Sequence, residues 1–212
     1  MYAKLWKRLF DFILSFIAII VFSPILLILT VVGAIAMRGN PFFTQLRPGT
    51  KGKDGKEKIF RLIKFRTMSN KRDKDGNLLP DAERLNGYGR LLRKTSLDEL
   101  GELINIVKGD MAIVGPRPLL IRYLDRYSEE QRHRHDVRPG LTGYAQAHGR
   151  NAVTWEEKFA MDVWYTKNIT FLGDIRIILD TMKAVLKHEG ISSETSATME
   201  EFMGSAEETL IK

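Results

Sequence analysis

Cysteine is absent from the 212 residues of this chain. Its absence excludes disulfides, a thiolate nucleophile and Cys-ligated metals, and it gives no sign of an oxidising compartment. Histidine is scarce, with 4 in all. No two are spaced i, i+4, so His133, His135 and Asp136 lack the helical pair and supporting ligands of a zinc site. The Gly- and Lys-rich stretch Gly49-Thr50-Lys51-Gly52-Lys53-Asp54-Gly55 lacks the G-x-x-x-x-G-K-[ST] pattern and reads as a solvated turn. The net charge of +7 points to anionic partners, but there is no helix-turn-helix, zinc-finger or ribonucleoprotein signature, so nucleic acid is not among them.

The most localised absence is of charge. From Phe12 to Met37 no side chain is ionisable, and the only hydroxyls are Ser15, Ser23 and Thr30. A straight helix of that length runs about 39 Å, more than the roughly 30 Å hydrocarbon core of a bilayer. Ser23-Pro24 stands at its centre, where proline removes a backbone bond and favours a break, and the serine hydroxyl is placed to satisfy the freed carbonyl. Both flanks are basic: Lys4, Lys7 and Arg8 before, and Arg38, Arg47, Lys51 and Lys53 after. Under the positive-inside rule each flank asks for the cytoplasm. Two readings stand side by side, a re-entrant helix-break-helix hairpin over residues 1–38 and a kinked single span. A cleaved signal peptide fits poorly, because the apolar run is too long and no small-residue cleavage site follows.

Residues 39–190 read as one α+β, mainly helical domain with short strands. Pro41–Thr44 and Lys58–Met68 are strand-like, and Ser69–Asn86 is a long polar loop. Ser96 and Glu99 stand in S-x-x-E spacing, which predicts a capping box opening a helix to Gly109. Leu97, Leu100, Ile104 and Val107 would share its inner face. Asp98 and Glu99 then stand at the positive helix end, which favours ionised carboxylates. Met111–Val114 is a short strand ended by Gly115-Pro116-Arg117-Pro118, a stiff turn that suits a guanidinium presented to phosphate. Arg132 to Arg138 reads as a cationic surface, and Leu141–Gly149 as a flexible or close-approach loop. Trp155–Asn168 and Ile175–His188 are amphipathic, with Asp162, Asp174 and Asp180 expected on solvated faces or as a cap. Residues 191–212 are polar, acidic and expected to be weakly ordered.

Most of the chain, from Lys7-Arg8-x-x-Asp11 to about Gly190, resembles the small monotopic phosphoglycosyl transferases among bacterial sugar transferases, with the nearest likeness to the Campylobacter-type enzymes that initiate N-glycan assembly. The likeness rests on Ser23-Pro24, Phe43-Thr44-Gln45-x-Arg47-Pro48-Gly49, Lys64-Phe65-Arg66-Thr67-Met68, Ser96-Leu97-Asp98-Glu99-Leu100, Lys108-Gly109-Asp110-Met111, Gly115-Pro116-Arg117-Pro118 and Arg138-Pro139-Gly140-Leu141-Thr142-Gly143.

The resemblance implies transfer of sugar 1-phosphate from a UDP-sugar, with UDP-N,N'-diacetylbacillosamine first among candidates, to undecaprenyl phosphate. UMP is released, Mg²⁺ is required, and the product passes to downstream glycosyltransferases. It implies Asp98 as nucleophile and metal ligand, Glu99 as its partner, and Lys64, Arg117 and Arg138 as phosphate clamps. It also implies a monotopic protein of the bacterial inner membrane, among bilayer lipids, with both termini and the catalytic domain cytoplasmic. Asp162 and Asp174 match recurrent acidic positions. Gly101 departs from the family's frequent proline and is expected to loosen the platform of the dyad. The competing reading is a non-catalytic, membrane-attached scaffold whose basic face binds anionic lipid, with Asp98 and Glu99 merely capping a helix. A direct single displacement is the enzymatic alternative.

Overall fold

A computed structural model describes residues 2–149, 153–186 and 201–204. After a wide turn at Tyr2–Trp6, helices α1 (Lys7–Val21) and α2 (Ser23–Met37) follow with only Phe22 between them. They are bent by 65°, and among the described residues no single helix is long and apolar enough to cross a membrane. Proline supplies the bend, because Pro24 cannot donate to the carbonyl of Ile20. Ser23 Oγ donates to that carbonyl at 2.7 Å, as the sequence suggested.

The sidedness of α1 inverts that of an ordinary surface helix. Lys7, Asp11 and Ser15, four residues apart, are its buried positions, while Leu9, Phe12, Ile13, Phe16 and Ile17 face outward. The rest of the fold supplies partners for Lys7 and Asp11. Lys7 Nζ donates to Asp174 at 2.7 Å, the Ile113 amide donates to Asp11 at 3.1 Å, and the Arg8 guanidinium caps the carbonyls of Ile106 and Val107. On α2, Leu26 and Leu29 pack with Phe65 and Leu92. Both arms of the bent pair therefore rest on one body.

Strands β1 (Phe42–Lys51) and β2 (Glu57–Phe65) form an antiparallel hairpin, with Phe42 opposite Phe65 and Lys51 opposite Glu57. Here β1 runs well past Thr44, because Gln45 to Pro48 pair with Leu62 to Ile59. Helices α3 (Asp81–Arg84) and α4 (Gly87–Thr95) follow, the latter capped by the Asn86 side chain. The expected capping box at Ser96 is absent. Ser96 is left-handed, at φ 56°, and ends α4, so its hydroxyl makes no cap bond to the next turn. That turn, the 3₁₀ segment Leu97–Gly101, leads instead into α5 (Glu102–Lys108). Its three-residue period shifts the helical phase. Leu103, Asn105 and Ile106 therefore point inward and Ile104 is exposed, against the sequence expectation.

Leu103 and Ile106 join Phe60, Leu62 and Met111 in the central core, with Ala18 and Ile19 of α1 against it. Strand β3 (Ala112–Val114) continues from α5. Beyond the short α6 (Glu129–Arg132), β4 (Gly140–Thr142) pairs parallel with β3. The stretch expected as a loop thus holds β4 and helix α7 (Tyr144–His148). Its glycines do mark close approach: a Cβ on Gly140 would lie 2.1 Å from the Gly115 nitrogen.

Helices α8 (Trp155–Lys167) and α9 (Phe171–Leu186) complete the fold. Four residues expected in solvent are buried: Arg134, His135, Asp162 and Asp174. Each acid is compensated by a cation and hydroxyl network, as burial of charge requires. Arg134 pairs with Asp162 at 2.7 Å and bonds Tyr127, while Asp174 takes Lys7, Tyr2 and Tyr165. Within the segment expected to be weakly ordered, residues 201–204 are described. Phe202, 1% exposed, sits among Tyr123, Tyr127, Trp155 and Phe159, with Glu201 paired to Arg122 and Arg126. The rest of 191–212 lies outside the described residues.

Candidate active site

The 3₁₀ turn carries Asp98 and Glu99 to where β2 delivers Lys64 and the Pro116-Arg117-Pro118 turn delivers Arg117. One oxygen joins them. Glu99 Oε1 accepts from Lys64 Nζ at 2.7 Å and from Arg117 Nη2 at 2.8 Å. Lys64 Nζ also lies 3.0 Å from Oε1 of Glu102, a buried residue that sequence reasoning passed over. The signal was present, since Glu99 and Glu102 are three residues apart and three-residue spacing stacks side chains on a 3₁₀ turn.

The two acids of the dyad differ in environment. Burial pushes the Glu99 carboxyl up, but Arg117 and Lys64 outweigh it and hold the group down to about 2. Asp98 moves the other way. Burial first, then the charge of Glu99, raises its carboxyl above the usual range against the pull of Lys64 and Arg117. Among the described residues no cation reaches ion-pair distance of Asp98. One acid is a fixed anion holding two cations, and its neighbour is an uncommitted, more basic carboxylate. Opposed environments of this kind divide roles between acids.

The supports of the site are buried. Arg134 Nη2 donates to the Arg117 carbonyl at 2.8 Å while held by Asp162, with Tyr127 and Phe159 against its guanidinium. The Arg117 backbone is anchored in this way, while its side chain is 46% exposed. No sequence pattern announces that link. Arg47 is a further cation nearby: burial and the neighbouring Arg117 lower its pKa, and Nη2 donates to Gln45 at 2.7 Å. Arg138 is placed elsewhere. Its Nε donates to the Gly109 carbonyl at 3.0 Å, so with Arg8 it caps the far end of α5. Gly101 does not loosen the platform. A Cβ there would lie 2.8 Å from the Ile63 carbonyl, so glycine lets the turn seat directly on β2.

Among the described residues no group of three or more metal-ligating side chains is present. His133 pairs with Asp136 at the surface and His135 points inward to Gly49, so the histidines do not converge. Two adjacent carboxylates nevertheless match the donors Mg²⁺ takes when substrate phosphates supply the remaining oxygens. Asp98 and Glu99 fit that ion in chemical type.

Residues 2–188 match the profile described as bacterial sugar transferase. The chain is 48% identical over 201 residues to the uncharacterized sugar transferase EpsL of Bacillus subtilis, covering 95% of this chain and 97% of that protein. It is 35% identical over 207 residues to undecaprenyl-phosphate galactose phosphotransferase of Salmonella typhimurium, covering 89% of this chain and 42% of that protein. It is also 34% identical over 188 residues to UDP-N-acetylgalactosamine-undecaprenyl-phosphate N-acetylgalactosaminephosphotransferase of Aeromonas hydrophila, covering 85% and 43%. The chain spans less than half the length of these last two proteins.

Proposed function

The chain belongs to the bacterial sugar transferase family, and from that premise we propose that it transfers a sugar 1-phosphate from a UDP-sugar to undecaprenyl phosphate through a covalent intermediate on Asp98. The observation that carries this reading is the contrast between Asp98, raised and, among the described residues, without a cation at ion-pair distance, and Glu99, fixed as an anion. The scaffold alternative had Asp98 and Glu99 merely capping a helix, but the Ser96 side chain makes no capping bond to the turn that carries them.

In the first step a carboxylate oxygen of Asp98 attacks the β-phosphorus of the donor. The bond from that phosphorus to the oxygen bridging the two phosphates breaks, and UMP leaves with the electron pair. In the second step an oxygen of undecaprenyl phosphate attacks the same phosphorus, and the Asp98 carboxylate is released. Phosphoryl transfer rests on positioning and charge neutralisation. Lys64 and Arg117 are the cations placed to turn from Glu99 to the pyrophosphate. Mg²⁺ held by Asp98 with Glu99 supplies further neutralisation of phosphate charge when bound.

The bent α1-α2 pair suits a lipid acceptor. Its polar stripe faces the catalytic body and its apolar side faces outward. We read it as a re-entrant hairpin in the bacterial inner membrane, with both flanks cytoplasmic, where a soluble donor meets a lipid phosphate. The product then serves downstream glycosyltransferases. The test is UMP release by the purified chain with Mg²⁺ and undecaprenyl phosphate across a panel of UDP-sugars. UDP-galactose and UDP-N-acetylgalactosamine, suggested by the names of the relatives, join UDP-N,N'-diacetylbacillosamine in it. Release above background with no member of the panel would overturn the assignment.

A further inference from the structure

Four charges of alternating sign run inward from the surface: Arg117, Glu99, Lys64, Glu102. Their side chains are 46%, 21%, 17% and 3% exposed. Glu99 holds both cations through one oxygen, so a pyrophosphate entering the site competes with Glu99 for each of them. Once Lys64 is drawn off Glu99, one carboxylate still holds it, that of Glu102 at 3.0 Å. A lysine without that second bond is a flexible four-carbon stem whose ammonium returns to water.

The distance between Glu102 and Lys64 is set by the backbone on both sides. At residue 101 the turn sits so close to β2 that a Cβ would meet the Ile63 carbonyl at 2.8 Å and the Lys64 Cα at 3.2 Å. At residue 105 the fully buried Asn105 bonds the strand twice, accepting from the Ile63 amide at 3.0 Å and donating to the Arg61 carbonyl at 2.8 Å. Glu102 lies between these two attachments and is 2% exposed.

We infer that Glu102 is a positioning residue: it tethers the Lys64 ammonium within the site so that the ammonium stays available to the donor pyrophosphate after leaving Glu99. The inference rests on the donor assignment above and adds a residue to it. Glu102 does not touch the substrate. Burial, assisted by the charge of Glu99, pushes its carboxyl up to about 7. A neutral acceptor can therefore fill the role, and glutamine mimics that form.

Two simpler roles predict different results. A mere buried counter-charge weakens the pull of Lys64 on an anion, so neutralising it in any way would tighten donor binding. A purely structural group would lower stability on removal and leave donor binding alone. The test uses the full-length purified chain and UDP as probe, with titration calorimetry for Kd and thermal unfolding for stability. Glu102→Leu and Glu102→Met are expected to weaken UDP binding about tenfold, the worth of one charge-assisted hydrogen bond. Lys64 keeps Glu99 as a partner in both variants, so they should remain folded, and the unfolding temperature is read beside Kd. Glu102→Gln should stay within about threefold of wild type, and Lys64→Met should bind UDP no better than Lys64→Met/Glu102→Leu.

Tighter binding in the apolar variants, unchanged binding, or loss of folded protein in both would overturn the tether. If wild type itself fails to bind UDP, the donor assignment falls and the inference with it. Intact wild-type binding beside unchanged variants removes the tether alone.

Discussion

Arg117 Nη2 sits 2.8 Å from Oε1 of Glu99, the same oxygen that accepts from Lys64. The two cations that the proposed mechanism brings to the pyrophosphate are both held by the acid next to Asp98.

Arg117→Ala removes one of the two cations held by Glu99 Oε1 and leaves Lys64 to pair with that acid. Its effect should fall on turnover, with kcat/KM for the UDP-sugar dropping about 10- to 100-fold, the range for a charge-assisted hydrogen bond. Steady-state UMP release together with thermal unfolding checks this. A fall in unfolding temperature that accounts for the lost activity would contradict it.

His135 gives a pH-dependent stability. Its ring is buried with Nδ1 3.1 Å from the Gly49 carbonyl, and burial, then Arg134, pushes its pKa down from 6.5 to about 3. The folded state therefore prefers the neutral ring. The stabilisation is fully present above the unfolded value of 6.5 and is lost as pH falls toward about 3. Chemical denaturation from pH 7 to 4 should show the gap between wild type and His135→Gln narrowing on the acid side. A gap constant with pH would remove His135 as the titrating group.

Phe202 ties the C-terminal segment into the aromatic cluster. Phe202→Ala should cost about 3–5 kcal/mol of unfolding free energy, as for other large-to-small core substitutions. Denaturant titration measures it. A cost under about 1 kcal/mol, the size of an ordinary surface change, would show that the segment is not part of the folded core.

The hairpin reading makes a topological prediction. The chain lacks cysteine, so Ala3→Cys and Asn40→Cys each introduce a unique thiol. An impermeant maleimide should leave both unlabelled in intact spheroplasts and label both in inverted vesicles. Labelling of Ala3→Cys alone in spheroplasts would establish a single span.

The sequence displayed features that depend on neighbouring residues. Ser23-Pro24 marked the bend because a missing N–H and a nearby hydroxyl are local facts, and the Gly109 stop and strand β3 were legible for the same reason. Legibility ended where distance along the chain began. Ser96 has the spacing of a capping box, yet its left-handed backbone ends α4, and the adjoining 3₁₀ turn shifts Ile104 outward. Asp162, Asp174 and Arg134 look solvated as isolated charges, and only the fold shows each beside its opposite. Within the site, Asp98, Glu99, Lys64 and Arg117 came from motifs and do converge. Glu102 and the Arg134 support of Arg117 need the tertiary arrangement, and Arg138 lies at the other end of α5.

The central claim is that Asp98 carries the phosphosugar. Purified chain incubated with Mg²⁺ and the UDP-sugar that supports UMP release, without undecaprenyl phosphate, should gain the mass of one phosphosugar. Peptide mapping should place it on Asp98, with UMP released one for one and the adduct cleared on adding undecaprenyl phosphate. Asp98→Asn should form no adduct and lose turnover. Full UMP turnover by Asp98→Asn, or sequential kinetics with no adduct in wild type, would contradict the account.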